Sequence, residues 1–129
     1  PRSGGLWKIG IDDPQQVDQR NFIRTVTLKN QALATSGNYR KFEVDEDTGL
    51  RIAHSINPKT GLAIPTKVLS ASVKAPDCMT ADAYATALMV MPLEKSQKLI
   101  NSRSELEAYW IISDSIKGIK ELFSKGFIN

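Results

Sequence analysis

The chain has 129 residues, of which 41% are hydrophobic and 24% are charged, a composition that is ordinary for one globular domain with a buried core. Its net charge of +3 comes from dispersed side chains, and no basic cluster with interleaved aromatic residues supports nucleic-acid binding. No apolar run reaches the roughly 18 residues of a membrane span, and the lone Cys78 excludes an internal disulfide.

The first half of the chain has the pattern of β-strands. It opens with PRSGGLWKIG and lacks an initiator Met or a signal-peptide pattern, which we interpret as a chain entered within a fold. Alternating apolar and polar residues predict strands at 6–12 and 21–30. Residues 31–44 are expected to continue the same sheet, with an interruption at Ser36-Gly37-Asn38.

An acidic segment, DEDTG at 45–49, is typical of a hairpin turn, because a calcium loop needs more oxygen ligands at wider spacing. The return strand is predicted at 50–56 and the next strand at 67–75. Residues 77–91 are rich in helix formers and small alanines, and Pro92 ends this predicted helix.

A second, amphipathic helix is predicted at 93–102, followed by a buried strand at 106–114. Strands, then two helices, then strands again indicate an α+β fold, in which two helices pack on one face of an antiparallel sheet. One domain, 1–129, therefore accounts for the chain.

The only histidine, His54, lies at the end of a predicted strand, just before the turn Asn57-Pro58-Lys59-Thr60-Gly61. Pro58 holds Asn57 extended and Gly61 permits a positive φ, so we expect backbone N–H groups fixed in one direction and a free Thr60 hydroxyl, as in a phosphate cradle. An imidazole beside bound phosphate can act as a general acid or base. A purely structural, hydrogen-bonded histidine is the alternative.

Asp82 and Thr86 are four residues apart on the predicted helix, so their oxygens lie on one face. A carboxylate beside a hydroxyl suits Mg²⁺, with water and phosphate in the other positions. Alternatively, Asp82 interacts with the helix dipole and Thr86 bonds its own helix backbone. The alanine-rich surroundings argue for the metal, since an unpaired buried carboxylate is costly.

Taken together, five motifs in order resemble the C-terminal part of the ApbE family, the FAD:protein FMN transferases. They are WKIGIDDP at 7–14, TSGNY at 35–39, HSINPKTG at 54–61, SASVKA at 70–75 and TADAYATAL at 80–88. The resemblance implies a T-fold-like, ApbE-like fold, and it implies that this chain is the C-terminal portion of a flavin transferase domain whose N-terminal half is absent.

The resemblance also implies an activity, namely transfer of FMN from FAD to a Thr or Ser hydroxyl of a target flavoprotein, with release of AMP. His54 would be the catalytic base, and Asp82 and Thr86 would hold Mg²⁺. The residues implied to bind the FAD substrate are Ser36, Gly37, Ile56, Asn57, Thr60 and Gly61.

Three further expectations follow from the resemblance. Some members hydrolyse FAD to FMN and AMP, so an FAD pyrophosphatase is an alternative, as is a non-catalytic flavin-binding or assembly fragment. The partners would be FAD, the target flavoprotein and the missing N-terminal half of the domain. Many members are lipoproteins of the periplasm, so the full-length parent is expected to be exported and lipid-anchored.

Overall fold

The computed structural model describes residues 1–16, 21–38, 42–47, 49 and 51–128. Nine strands and two helices occur in this part of the chain. They are β1 (Trp7–Asp12), β2 (Phe22–Leu28), β3 (Ala32–Gly37), β4 (Phe42–Val44), β5 (Arg51–Ile56), β6 (Ala63–Thr66), β7 (Val68–Ala75), α1 (Cys78–Val90), α2 (Leu93–Asn101), β8 (Glu107–Asp114) and β9 (Gly118–Phe123). Within these residues, no helix has the length and apolar character needed to cross a membrane.

The described strands form three antiparallel sheets. A four-stranded sheet has the order β3-β7-β8-β9, β1 pairs with β2, and β4-β5-β6 form a separate three-stranded sheet. The predicted α+β class with two helices is confirmed. The expectation that residues 31–44 continue one sheet was wrong, because β3 pairs with β7 whereas β4 pairs with β5.

The helix α1 packs on the four-stranded sheet through small side chains. Ala81, Ala85 and Leu88, predicted to share a face, are all fully buried. They pack against a sheet surface that is also built from small side chains, with Ala71 and Val73 of β7 in the same cluster. Alanine facing alanine lets helix and sheet approach closely, and this packing fixes the position of α1 relative to β3 and β7.

The other face of the four-stranded sheet is covered by the β1–β2 pair. Ile11 and Val26 of that pair share a buried cluster with Tyr109 and Ile111 of β8. Arg24 adds an ion pair to Glu121 of β9, with Nη2 and Oε2 2.7 Å apart. The sheet is therefore buried on both faces, whereas the sequence predicted cover only from the helices.

The sequence prediction gave no bounds for β9 and missed the strand β6. It contains Pro65, which cannot donate to a ladder, and it pairs only with β5 at the edge of the three-stranded sheet. Proline is tolerated at such an edge, since its missing N–H can face away from the partner strand.

The predicted turn at 45–49 is confirmed where it is described, with the Gly49 N–H donating to the Asp45 carbonyl over 2.8 Å.

Candidate active site

The helix α1 places Asp82 and Thr86 one turn apart on its exposed side. It begins at Asp77, whose Oδ1 accepts a hydrogen bond of 2.8 Å from the Thr80 backbone N–H. This bond, together with one from the Thr80 hydroxyl, lowers the pKa of the Asp77 carboxyl. Because the alanine face is buried against the sheet, Asp82 and Thr86 are left exposed to solvent.

The exposure of Asp82 corrects one step of the sequence argument. The buried alanines lie on a neighbouring face of α1 and Asp82 itself is exposed, so burial does not force this carboxylate to find a partner. Asp82 makes no hydrogen bond or ion pair with any residue that the structure describes. The carboxylate is therefore available to a ligand from solvent.

A third oxygen joins this pair from the neighbouring strand. Ser36 Oγ of β3 lies 3.2 Å from Thr86 Oγ1, so the sheet brings together two predicted site residues that are far apart in sequence. Ser36 and Gly37 still pair with Ala71 and Ser70 of β7. The predicted break at Ser36-Gly37-Asn38 therefore begins only after Gly37.

The oxygens of Asp82, Thr86 and Ser36 provide one carboxylate and two hydroxyls. In the described part of the chain, no group of three or more His, Cys, Asp or Glu could hold a metal by itself. Mg²⁺ commonly uses one or two carboxylates and completes its shell with water and substrate phosphate. The donor set fits such a partly open magnesium site and does not fit a closed structural metal site.

His54 is part of β5, and its side chain lies outside the described part of the structure, as does Tyr39 of the TSGNY motif. The backbone nevertheless gives the location of the strand. The helix α1 contacts both β5 and β6. The strand that carries His54 therefore runs beside the helix that carries Asp82 and Thr86.

The turn after β5 closes on itself through its own hydrogen bonds. The Asn57 carbonyl accepts from the N–H groups of Thr60 and Gly61, and Asn57 Oδ1 accepts from the Lys59 N–H. The Leu62 N–H donates to Thr60 Oγ1 over 3.3 Å. Gly61 has the positive φ that was predicted, at 69°.

These bonds change what the turn can offer a ligand. The sequence predicted N–H groups fixed in one direction, as in a phosphate cradle, but those of Lys59, Thr60 and Gly61 all donate inside the turn. The Thr60 hydroxyl accepts a bond but keeps its own proton to donate, and the Asn57 amide keeps its N–H groups. The remaining polar groups of the turn are therefore on side chains.

Two exposed apolar side chains flank the turn, and the sequence analysis gave weight to only one of them. Ile56 is 58% exposed and Leu62 is 68% exposed. Ile56 pairs with Ala63, and the Asn57 N–H donates to the Leu62 carbonyl, so both lie at the base of the same turn. The turn thus presents an apolar surface beside its polar side chains.

Asn38 and Ser70 were also missed as candidate site residues. Both are buried, and neither the Asn38 amide atoms nor Ser70 Oγ has a hydrogen-bond partner among the residues that the structure describes. The Asn38 N–H donates to the carbonyl of Leu69, which places the two residues near each other at the end of β3. Buried polar groups without partners are uncommon in folded proteins, so a water or ligand atom is expected here.

Comparison with known proteins adds evidence from outside the chain. A sequence model of the ApbE family matches residues 1–110. The FAD:protein FMN transferase of Vibrio cholerae serotype O1 is 37% identical over 126 residues, which cover 98% of this chain and 36% of that protein. The protein of the same name from Haemophilus influenzae is 37% identical over 109 residues, covering 84% of this chain and 31% of its own.

Solved structures agree with the sequence comparison. The flavin transferase ApbE from Vibrio cholerae superposes with a TM-score of 0.76 at 35% identity, covering 98% of this chain and 38% of that one. The ApbE protein from Thermotoga maritima superposes with a TM-score of 0.70 at 29% identity, covering 95% and 37%. The chain spans about a third of the length of these relatives. Because the family model matches most of its length, the chain belongs to the ApbE family.

Proposed function

We propose that this chain is the C-terminal portion of an FAD:protein FMN transferase. In the proposed reaction, a Thr or Ser hydroxyl of a target flavoprotein attacks the phosphorus of the FMN half of FAD. A new phosphoester bond forms, the pyrophosphate bond to AMP breaks, and AMP leaves with the electron pair of that bond. The names of the relatives support flavin transfer, and the site residues support the finer assignment.

The observation that carries the proposal is the cluster of Asp82, Thr86 and Ser36. An exposed carboxylate lies one helical turn from a hydroxyl, which is 3.2 Å from a second hydroxyl. Asp82 and Thr86 would hold Mg²⁺, and the ion would neutralise charge on the pyrophosphate. Ser36 would orient Thr86 and, with Gly37, would form the wall next to the bound FAD.

The turn at 57–62 is proposed to bind FAD mainly through side chains. The Thr60 hydroxyl and the Asn57 amide would donate to the diphosphate, because the N–H groups of Lys59, Thr60 and Gly61 already donate within the turn. Ile56 and Leu62 would contact one of the flat rings of FAD, since both are exposed and apolar. His54, on the strand before this turn, is the proposed base for the acceptor hydroxyl.

The test uses the full-length parent and the 129-residue chain side by side, each with FAD, Mg²⁺ and an acceptor flavoprotein. Mass spectrometry should show FMN attached to a Thr or Ser of the acceptor when the parent is used. In Asp82→Ala the labelling rate should fall at least 100-fold, since the proposed metal site loses the one carboxylate that the described residues supply to it. Glu94→Ala, which removes an exposed carboxylate from α2, is the matched control and should label normally.

Three outcomes would count against parts of this proposal. Unchanged labelling in Asp82→Ala would remove the metal assignment. Release of FMN and AMP without any adduct would show an FAD pyrophosphatase instead of a transferase. Full labelling by the 129-residue chain alone would show that the site needs no further part of the domain.

A further inference from the structure

Residues 124–127, here called the strap, follow β9 and cross back over the sheet face that the β1–β2 pair also covers. The Ser124 N–H donates to the Ala108 carbonyl over 2.8 Å, and Ser124 Oγ accepts from the Ala108 N–H over 2.7 Å. The hydroxyl thus takes the place of a ladder carbonyl. The Ser124 carbonyl accepts from the Phe127 N–H instead, so the chain turns away from β9 at this point.

The other end of the strap is bound to β7 by a buried lysine. Lys74 is 1% exposed, and Phe127 is completely buried. Lys74 Nζ donates to the Phe127 carbonyl over 2.8 Å and lies 4.9 Å from the centre of the Phe127 ring. Since the sheet order is β7-β8-β9, the strap is attached to β8 at one end and to β7 at the other.

A carboxylate completes the surroundings of this ammonium group. Glu107 of β8 lies opposite Lys74, and its Oε2 is 3.5 Å from Nζ, an ion pair without a hydrogen bond. Among the described residues, the Phe127 carbonyl is the only hydrogen-bond acceptor of the ammonium. Because a buried ammonium without an acceptor is costly, Lys74 favours the conformation in which the strap is closed.

The middle of the strap fits closely against Glu107. Gly126 has a φ of 95°, and a Cβ atom at this position would lie 2.9 Å from Glu107 Oε1. Glycine is therefore favoured here both by its backbone conformation and by the lack of space. Only Lys125 and Gly126 separate the two attached ends, so one end has little freedom to move without the other.

We infer that residues 124–127 open and close as one unit, and that the Lys74 ammonium holds this strap closed. Opening would remove the Phe127 ring from its stack with Tyr109, where the ring centres are 5.5 Å apart, and would expose part of the sheet face. All of these contacts are made within the chain, which itself buries Lys74 and Phe127. The inference is therefore independent of the proposed function.

The test removes the ammonium without leaving a charge unpaired. Lys74→Met is combined with Glu107→Gln, so that both side chains keep nearly their native length. Amide hydrogen exchange is followed by NMR in the 129-residue chain and by mass spectrometry in the full-length parent. Circular dichroism checks that the variants are folded.

Three amides report on the strap, because each donates a hydrogen bond within it or between it and β8: those of Ala108, Ser124 and Phe127. In the double variant, their exchange should become at least 10-fold faster, by a similar factor for all three. Exchange at Ile111, which pairs inside the ladders of β8, should change less than 2-fold.

Two further variants bracket this result. Lys125→Met makes the same change at an exposed lysine of the strap, and its exchange should match that of the native chain. Gly126→Ala leaves the Lys74 ammonium in place but forces the strap away from Glu107, and it should accelerate exchange at the same three amides.

Four outcomes would overturn the inference. Native exchange rates in the double variant would show that the ammonium does not hold the strap. Faster exchange at Phe127 with no change at Ala108 would show that the two ends open separately. Equal acceleration at Ile111 would mean that the sheet opens and not the strap. An effect confined to the 129-residue chain would mean that the remaining part of the domain holds the strap closed in the parent.

Discussion

The two parts of this molecule that border the candidate site differ in how they are held. Around α1, β7 and β8, the side chains of Ala85, Leu88 and Trp110 are almost completely buried and belong to one cluster. In the β4–β5–β6 sheet and its turn, the side chains of Val44, Ile56 and Leu62 are more than half exposed, and Ile52 is only partly buried. The first region is stabilised by packing, and the second depends mainly on local hydrogen bonds in its turn.

Because of this difference, the candidate site combines one rigidly held part and one loosely packed part. The candidate metal ligands Asp82 and Thr86 lie on a helix whose buried face is packed in the core, so their spacing is rigid. His54 and the turn at 57–62 are carried by a sheet with little burial, which opens locally at lower free energy. A ligand that bridges both regions would order the second against the first.

The largest expected effect is on the rate of flavin transfer, and it comes from the less buried region. His54→Ala should lower the labelling rate of the full-length parent by about 100-fold or more, since general base catalysis typically contributes this much. FAD affinity and thermal stability should stay close to native values. Rates are measured by mass spectrometry of the acceptor and affinity by flavin fluorescence.

Ser55→Ala is the control for that experiment, because Ser55 is the next residue of the same strand and its change also truncates a polar side chain. It should label at a normal rate. Normal labelling by His54→Ala would show that the histidine has only a structural role. The less buried region would then contribute no catalytic base.

The next largest effect is on stability and comes from the packed region. Leu88→Ala removes a fully buried side chain from the contact between α1 and the sheet, and it should lower the free energy of unfolding by about 3 kcal/mol. Leu62→Ala makes the same chemical change at an exposed position and should alter stability by less than about 0.5 kcal/mol. Urea unfolding of both variants makes the comparison, and similar losses would show that the two regions are equally packed.

The sequence predicted the elements whose signal is local. The helix α1 and the strand β8 were placed within a residue or two, because alanine spacing, Pro92 and a β-branched apolar run act over short distances. Sheet membership was not predicted, since the pairing of β3 with β7 joins segments separated by more than thirty residues. The strand β6 was missed because it contains a proline, and local propensity therefore disfavours a strand there although a sheet edge tolerates one.

The candidate site was predicted as a set of residues and not as a set of contacts. The i, i+4 spacing was enough to place Asp82 and Thr86 on one face, and the positive φ of Gly61 followed from its turn. The contact between Ser36 and Thr86 depends on how α1 crosses β3. The internal bonding of the turn N–H groups also escaped prediction, because the Asn57 carbonyl and side chain compete with any phosphate for the same donors.

The smallest predicted effect concerns the exposed end of the packed region, where Asp77 caps α1. Its folded-state pKa lies below the usual 3.8, first because the Thr80 backbone N–H donates to the carboxylate. A lowered pKa stabilises the folded state above the unfolded-state pKa, and the contribution is lost as the pH falls through the folded-state value. Asp77→Ala should therefore lower the melting temperature by a few degrees at pH 7, and its difference in melting temperature from the native chain should narrow from about pH 4 downwards.

Asp77→Asn is the control. It keeps an N-cap acceptor without a titrating charge and should melt near the native chain at pH 7. Scanning calorimetry from pH 7 to pH 3 measures all three, and a gap for Asp77→Ala that stays constant over this range would show that Asp77 caps α1 without any contribution from its charge.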